Sequence, residues 1–110
     1  MQIETESYKR VDLVTVTGRI DSSNASELEQ AFSDLASDGR YRLVVDLSGI
    51  DYMSSAGLRA LVAALRENKK HSGDLVISRP SERMDEVLKL AGLDSVFSIY
   101  EDSTAAVGSY

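Results

Sequence analysis

Hydrophobic residues along this chain follow two periodicities that alternate from one segment to the next. Five short runs alternate or are continuously apolar, as is typical of strands; they cover residues 3–8, 11–17, 43–47, 74–78 and 96–100. Between them, three segments have apolar residues at i, i+3, i+4 and i+7, one face of a helix. A short fourth helix is expected at the C-terminus. The order β-β-α-β-α-β-α-β-α predicts one α/β domain over residues 1–110. Its mixed sheet has an antiparallel first hairpin and largely parallel strands afterwards.

Capping residues predict where these helices begin and end. Asn24, followed three residues later by Glu27, predicts a capping box for the first helix, and Gly39 predicts its end. Pro80 is expected at the start of the third helix, since proline is favoured in a first turn. Ser103 is expected to cap the fourth.

Two adjacent serines stand where the third strand, followed by the apparent turn S-G-I, leads into the second helix. If Ser54 is the N-cap, Ser55 is the first helical residue and points outward. Gly57 would leave the backbone approachable. The free amides and partial positive charge of a helix N-terminus would tolerate a phosphate on Ser55. Capping alone also accounts for a Ser-Ser pair, so the spacing leaves both interpretations open.

Composition narrows the possible partners. The 110 residues carry 12 basic and 18 acidic side chains, and a net charge of −6 argues against nucleic acid or anionic lipid as partners. The absence of cysteine excludes disulfides and thiolate-bound zinc. No apolar run is long enough for a membrane span, and no signal peptide is recognisable, so a cytoplasmic protein without membrane partners is expected.

Few residues are suited to catalysis or to metal binding. The only histidine, His71, lies in a polar segment after the second helix, which is typical of a solvated side chain. Neither a G-x-S-x-G elbow nor a phosphate-binding glycine loop is present. We therefore expect a protein that is not an enzyme and that uses no cofactor or metal.

Two segments resemble a known family. The run V-V-D-L-S-G-I-D-Y-M-S-S-A-G-L-R and the upstream T-G-R-I-D are similar to motifs of the STAS-domain anti-sigma factor antagonists, and the likeness extends from Ile3 to about Val107. The resemblance implies a protein-interaction module that binds an anti-sigma factor serine kinase and thereby releases a sigma factor. It also implies that the kinase phosphorylates the module, which dissociates the complex, and that a serine phosphatase reverses the modification.

The same resemblance implies roles for individual residues. Ser55 falls on the phosphorylated serine and Asp21 on an acidic residue of the kinase-binding surface. The implied partner-binding residues are Asp21, Ser54, Ser55, Gly57 and Arg59. The chain departs from the commonest pattern at Ser54, where aspartate is frequent, and at Ala56, where a second serine is frequent. The first departure leaves open which hydroxyl is modified.

Two alternatives share the fold class. A response-regulator receiver could use Asp46 as its phosphorylated carboxylate, but it would also need an acidic pair for magnesium and a lysine at the end of a late strand. No acidic pair follows the first strand, and the strand at 74–78 ends in Ser78-Arg79, where a receiver would need a lysine. The other alternative is a small nucleotide-binding module.

Overall fold

The computed structural model describes residues 1–110 and contains one five-stranded sheet in the order β1-β2-β3-β4-β5. The strands are β1 Gln2–Ser7, β2 Asp12–Ile20, β3 Arg42–Met53, β4 Asp74–Ser78 and β5 Ile99–Tyr100. The β1–β2 pair is antiparallel and every other pair is parallel, which confirms the predicted mixed sheet. The helices are α1 Ala25–Ser37, α2 Ser55–Lys70, α3 Glu82–Leu90 and α4 Ser103–Gly108, with a 3₁₀ turn at Leu93–Ser95.

The sheet separates two apolar clusters. Helices α1, α2 and α3 contribute Leu28, Leu61 and Met84 to a core of 20 buried residues on one face. Alternate residues of β3 point to the other face, where Val44 packs in a cluster of four buried residues with Ala106 of α4. Because β2 to β5 lie side by side in chain order, right-handed crossovers place the three long helices on the same face.

Two strands are longer than their sequence pattern predicts. Strand β2 continues past residue 17 to Ile20, passing through a register shift after Gly18, which has a φ of +96°. Strand β3 continues to Met53 and absorbs the predicted turn S-G-I. A Cβ on Gly49 would lie 2.7 Å from Cγ2 of Thr17, so this glycine serves close packing between paired strands. The last predicted strand, by contrast, is reduced to Ile99–Tyr100 because a 3₁₀ turn and the buried Phe97 precede it.

The first helix begins and ends where expected, but the predicted capping box at its start is wrong. Asn24 occupies the N-cap position without capping the helix through its side chain. Its side-chain Oδ1 instead accepts from the Asp21 amide and its Nδ2 donates to the Arg19 carbonyl, at 2.9 Å each. Gly39, with a φ of +73°, ends the helix as predicted.

Neither α3 nor α4 begins at the predicted residue: Pro80 lies before the cap of α3 instead of in its first turn, and the cap of α4 lies one residue earlier than predicted. Ser81, which follows Pro80, caps α3 by accepting from the Met84 amide. Asp102 caps α4 in the same way, so Ser103 is the first helical residue instead of the cap. In each helix, the residue just before the first helical residue accepts, through its side-chain oxygen, a hydrogen bond from the amide three residues later.

Candidate functional site

Two turns meet at the carboxyl ends of the parallel strands β2 and β3. The parallel register places Arg19 opposite Tyr52 and Ile20 opposite Met53. The Ser54 amide then donates to the Ile20 carbonyl at 2.9 Å, one residue beyond the last pair. This bond holds the start of α2 against the end of β2, and so brings the two sequence motifs of the chain to one edge of the sheet.

The two serines of the β3–α2 turn differ in what their hydroxyls do. Ser54 is the N-cap, as predicted: its backbone is extended and its Oγ accepts from the Gly57 amide at 3.5 Å. Ser55 is the first residue of α2; its side chain is exposed and makes no hydrogen bond within the chain. One hydroxyl is therefore occupied by the backbone, whereas the other is available to a partner.

Gly57 holds the start of α2 by packing. The residue is buried, and a Cβ there would lie 2.8 Å from Cγ2 of Ile20 and 2.8 Å from Cγ of Met53. The prediction that this glycine leaves the backbone approachable is therefore wrong. Its missing side chain lets α2 approach the ends of β2 and β3, which fixes the position of the neighbouring Ser55.

Asp21 organises the β2–α1 turn beside Ser54. Its Oδ1 accepts from the hydroxyl of Ser23 and, at 2.9 Å, from the Ser23 amide. These hydrogen bonds, together with the nearby Arg19 guanidinium, lower the pKa of the Asp21 carboxyl. Oδ2 lies 3.5 Å from Nε of Arg19. Asp21 is thus a half-exposed, ionised carboxylate held in one orientation.

Sequence reasoning missed the contact between Arg19 and Tyr52. The Arg19 guanidinium carbon lies 4.1 Å from the centre of the Tyr52 ring, a cation–π contact across the two paired strands. Arg19 stands inside the T-G-R-I-D motif and Tyr52 inside D-Y-M-S-S, but only the strand register places them together. The pair forms a charged and aromatic ridge next to Asp21.

A groove runs from Ser55 along the outer side of α2. It has a volume of about 540 Å³ and lies between α2 and the segment that joins α3 to the 3₁₀ turn. The lining residues are Ser55, Leu58, Arg59, Val62, Ala63, Arg66, Ala91 and Leu93. Arg59 is exposed there, as is Arg66, and neither forms an ion pair within the chain. Leu90, which precedes the lining residue Ala91, is 82% exposed.

The side chain of Asp46 has no access to a partner. It is 5% exposed; Oδ1 accepts from the Ser48 amide at 2.9 Å, and Oδ2 accepts from the Ser103 hydroxyl at 3.2 Å. The carboxylate therefore ties α4 to the sheet. A receiver sheet has the order 2-1-3-4-5, with a crevice where the strand order reverses. The present sheet has no such reversal, so its topology is neither that of a receiver nor that of a doubly wound nucleotide-binding fold.

Neither a membrane-spanning helix nor a metal-binding cluster is present in the structure. None of the helices has the length and apolar character required to cross a membrane. No group of three or more His, Asp or Glu side chains is arranged to hold a metal ion.

Comparisons with known proteins agree with this architecture. The family model described as STAS domain matches residues 2–106. The anti-sigma-B factor antagonist of Staphylococcus aureus strain NCTC 8325 is 28% identical over 101 residues, covering 92% of this chain and 94% of that protein. The crystal structure of an anti-sigma factor antagonist from Mycobacterium paratuberculosis superposes with a TM-score of 0.88 at 30% identity, covering 98% of this chain and 92% of that one.

A third similarity concerns fold alone. The anti-sigma factor antagonist SpoIIAA in its unphosphorylated form superposes with a TM-score of 0.84 at 17% identity, covering 96% of this chain and 93% of that one. The phosphorylated form of SpoIIAA, from Bacillus, superposes with a TM-score of 0.78. The family match spans the sheet and its helices, including both turns of the site, and the chain belongs to the STAS domain family.

Proposed function

We propose that this protein is an anti-sigma factor antagonist whose binding to an anti-sigma factor serine kinase is switched by phosphorylation of Ser55. In this proposal the unphosphorylated protein binds the kinase and the sigma factor is released. The kinase then phosphorylates Ser55, the complex dissociates, and a serine phosphatase restores the binding-competent form. This role requires a cytoplasmic location, where transcription takes place.

The observation that carries the proposal is that the hydroxyl of Ser54 caps the helix whereas the hydroxyl of Ser55 is free. Ser54 is committed to the helix cap, while the Ser55 hydroxyl is exposed at the first position of α2 with no partner in the chain. Ser55 also borders the apolar groove, so a protein docked there would reach the hydroxyl. Names of relatives add support, since the Staphylococcus aureus and Mycobacterium paratuberculosis proteins are called antagonists of anti-sigma factors.

A phosphate on Ser55 would change the surface charge while the helix stays folded. It adds about −1.5 to −2 charges, and a negative charge is favourable at a helix N-terminus. The same charge lies at the edge of the groove, whose lining includes the two arginines Arg59 and Arg66, so the chain itself balances part of it. Burying it against a partner without a matching cation would weaken binding by about 2–5 kcal/mol, which corresponds to about thirty- to several-thousand-fold in Kd.

The remaining predicted residues have supporting roles in this mechanism. Asp21 and Arg59 are exposed enough to pair with charged groups of the partner. Ser54 and Gly57 contribute through the backbone, by capping and by packing. Ser55 acts as an acceptor of the phosphoryl group, and the chain itself has no catalytic role.

Incubation with the cognate kinase and ATP, followed by mass spectrometry of peptides, tests this proposal. Wild type and Ser54→Ala should each gain one phosphate on Ser55, whereas Ser55→Ala should gain none and remain bound to the kinase in the presence of ATP. Ser22→Ala, in the exposed neighbouring turn, is a matched control that should behave as wild type. Phosphorylation of Ser55→Ala at Ser54 would show that the roles of the two serines are reversed. A protein that binds no anti-sigma factor would contradict the proposed function itself.

A further inference from the structure

A basic pocket lies at the opposite end of the sheet from Ser55. It has a volume of about 280 Å³ and is formed by the β1–β2 hairpin loop, the α1–β3 turn and the α2–β4 turn. Its nine lining residues include Lys9, Arg10, Arg40, Arg42 and His71 but no acidic residue. Acidic side chains outnumber basic ones by 18 to 12 in the whole chain, so this segregation of positive charge is unusual for its surface.

One of these cations is fixed in place by the fold. Arg40 forms an ion pair with Asp12, whose side chain is 1% exposed, and its Nε lies 2.8 Å from Oδ1 of that carboxylate. The same guanidinium donates to the backbone carbonyls of Tyr8 and Lys9. Arg40 therefore ties the hairpin loop to the α1–β3 turn, and its charge is largely balanced by Asp12.

The opposite wall of the pocket is equally well fixed. A Cβ on Gly73 would lie 1.9 Å from the Tyr41 carbonyl oxygen, so the α2–β4 turn lies directly against the α1–β3 turn. The rings of Tyr41 and His71 stack with centroids 4.0 Å apart and planes 7° apart. His71 also lies 3.2 Å from Glu67. These contacts fix the shape of the pocket, and none of them neutralises any of its other cations.

Three cations remain without a counterion in the chain. Lys9, Arg10 and Arg42 form no ion pair and no side-chain hydrogen bond. The carbonyl ends of α1 and α2 point toward this end of the molecule, and basic residues in a last helical turn are favourable there. Lys9 and Arg10 belong to a hairpin loop and Arg42 to a strand, so none of the three is part of a last helical turn.

From these observations we propose that the basic pocket binds a phosphate group of a small ligand. Three unpaired cations around a rigid concave surface match the charge and hydrogen-bond acceptors of phosphate. Pockets for whole drug-sized ligands are about 300–1,000 Å³, so a volume of about 280 Å³ suits one or two phosphoryl groups, with any attached organic part outside. The ligand is therefore a phosphate, a pyrophosphate or the headgroup of a phosphorylated molecule. This proposal is independent of the role of Ser55.

An NMR titration of the ¹⁵N-labelled chain with pyrophosphate, at constant ionic strength, tests the proposal. The amides of Gly39, Arg42 and Gly73 should shift and saturate, while the amide of Ser55 at the far end should not. The double variant Arg10→Glu/Arg42→Glu should bind at least about tenfold more weakly, since it replaces two attractive contacts with repulsive ones. Arg83→Glu/Lys89→Glu changes the net charge equally on the exposed surface of α3 and should bind as wild type.

Each outcome decides for or against the pocket. Shifts that do not saturate, or that weaken equally in both double variants, would overturn the proposal, because they indicate attraction to the overall charge. Co-sedimentation with phosphatidylcholine vesicles, with and without phosphatidylglycerol, distinguishes the two sources of the group. Saturable pyrophosphate binding without vesicle binding identifies a free ligand, and both together identify a lipid headgroup. Vesicle binding alone would contradict a pocket for a phosphate group.

Discussion

Replacement of Gly57 by alanine should destabilise the protein, even though alanine is the better helix former. The new methyl group would lie 2.8 Å from Cγ2 of Ile20 and 2.8 Å from Cγ of Met53. Carbon atoms normally approach to about 3.5–4.0 Å, so each neighbour would have to move by at least about 0.7 Å. Ile20 is fully buried and Met53 is 5% exposed, so the core offers little room for that movement.

The expected loss in the free energy of unfolding is the difference between two opposing effects. Overpacking of a close-packed site costs about 1–3 kcal/mol, and the change from glycine to alanine within a helix returns about 1 kcal/mol. The free energy of unfolding of Gly57→Ala should therefore fall by about 1 kcal/mol, with Cm lowered and m unchanged in urea. Gly108→Ala in α4 is the matched control, since its Cβ would meet nothing within 4 Å, and it should be as stable as wild type or more stable by up to about 1 kcal/mol.

A Gly57→Ala protein as stable as wild type would refute this reasoning. It would show that the start of α2 shifts away from the ends of β2 and β3 at no cost, and that packing does not fix the position of Ser55. Under the proposed function, the destabilised variant should also be phosphorylated more slowly than Gly108→Ala.

Three further predictions follow from single side chains. Ser54→Ala should lower the free energy of unfolding by about 1 kcal/mol or less, because it removes a helix cap whose hydrogen bond, at 3.5 Å, is long. Ser55→Ala should change the free energy of unfolding little, and urea melts measure both variants. The lowered pKa of Asp21 predicts a stabilising contribution that is complete above the ordinary value of 3.8 and is lost as pH falls through the lowered pKa, so Asp21→Asn should lose less stability in acid than wild type. Tyr110→Phe removes a 2.7 Å hydrogen bond to the Leu43 carbonyl and should cost about 1 kcal/mol near neutral pH. Because burial raises the pKa of Tyr110, wild type should also lose stability above pH 10.0, and the variant should not show that part of the loss.

Local sequence signals predicted the site where the controlling interactions are local. The cap at Ser54 depends on an amide three residues away, and the exposure of Ser55 follows directly from its position after the cap. The stop at Gly39 is local in the same sense. Periodicity also predicted the order of strands and helices, because each element shows its buried face in the apolar pattern.

Long-range packing decided what the sequence pattern could not. In the sequence, Gly49 is typical of a turn. In the structure, the Thr17 side chain on the neighbouring strand fills the space that a side chain at position 49 would need, and β3 continues through this position. Glu27, three residues after Asn24, is the correct residue for a capping box, but the Asn24 side chain hydrogen-bonds to the backbone of the preceding turn instead. The groove beside Ser55 is formed by α2 and the distant residues Ala91 and Leu93, and no local motif encodes it.

Replacement of Ser55 by aspartate should separate the effect of charge on folding from its effect on binding. A negative charge in the first turn of a helix stabilises it by about 0.3–1 kcal/mol, and Ser55 is exposed with no hydrogen bond to lose. The free energy of unfolding should therefore stay constant or rise slightly. Under the proposed function, the affinity for the anti-sigma factor kinase should fall, by less than a phosphate would cause, because aspartate carries a smaller charge. Urea melts and calorimetric titration of the same preparation measure the two effects. If Ser55→Asp binds as tightly as wild type, charge does not drive dissociation. If binding and stability fall together, the substitution acts by unfolding the start of α2, and a switch based on charge at an intact helix terminus is wrong.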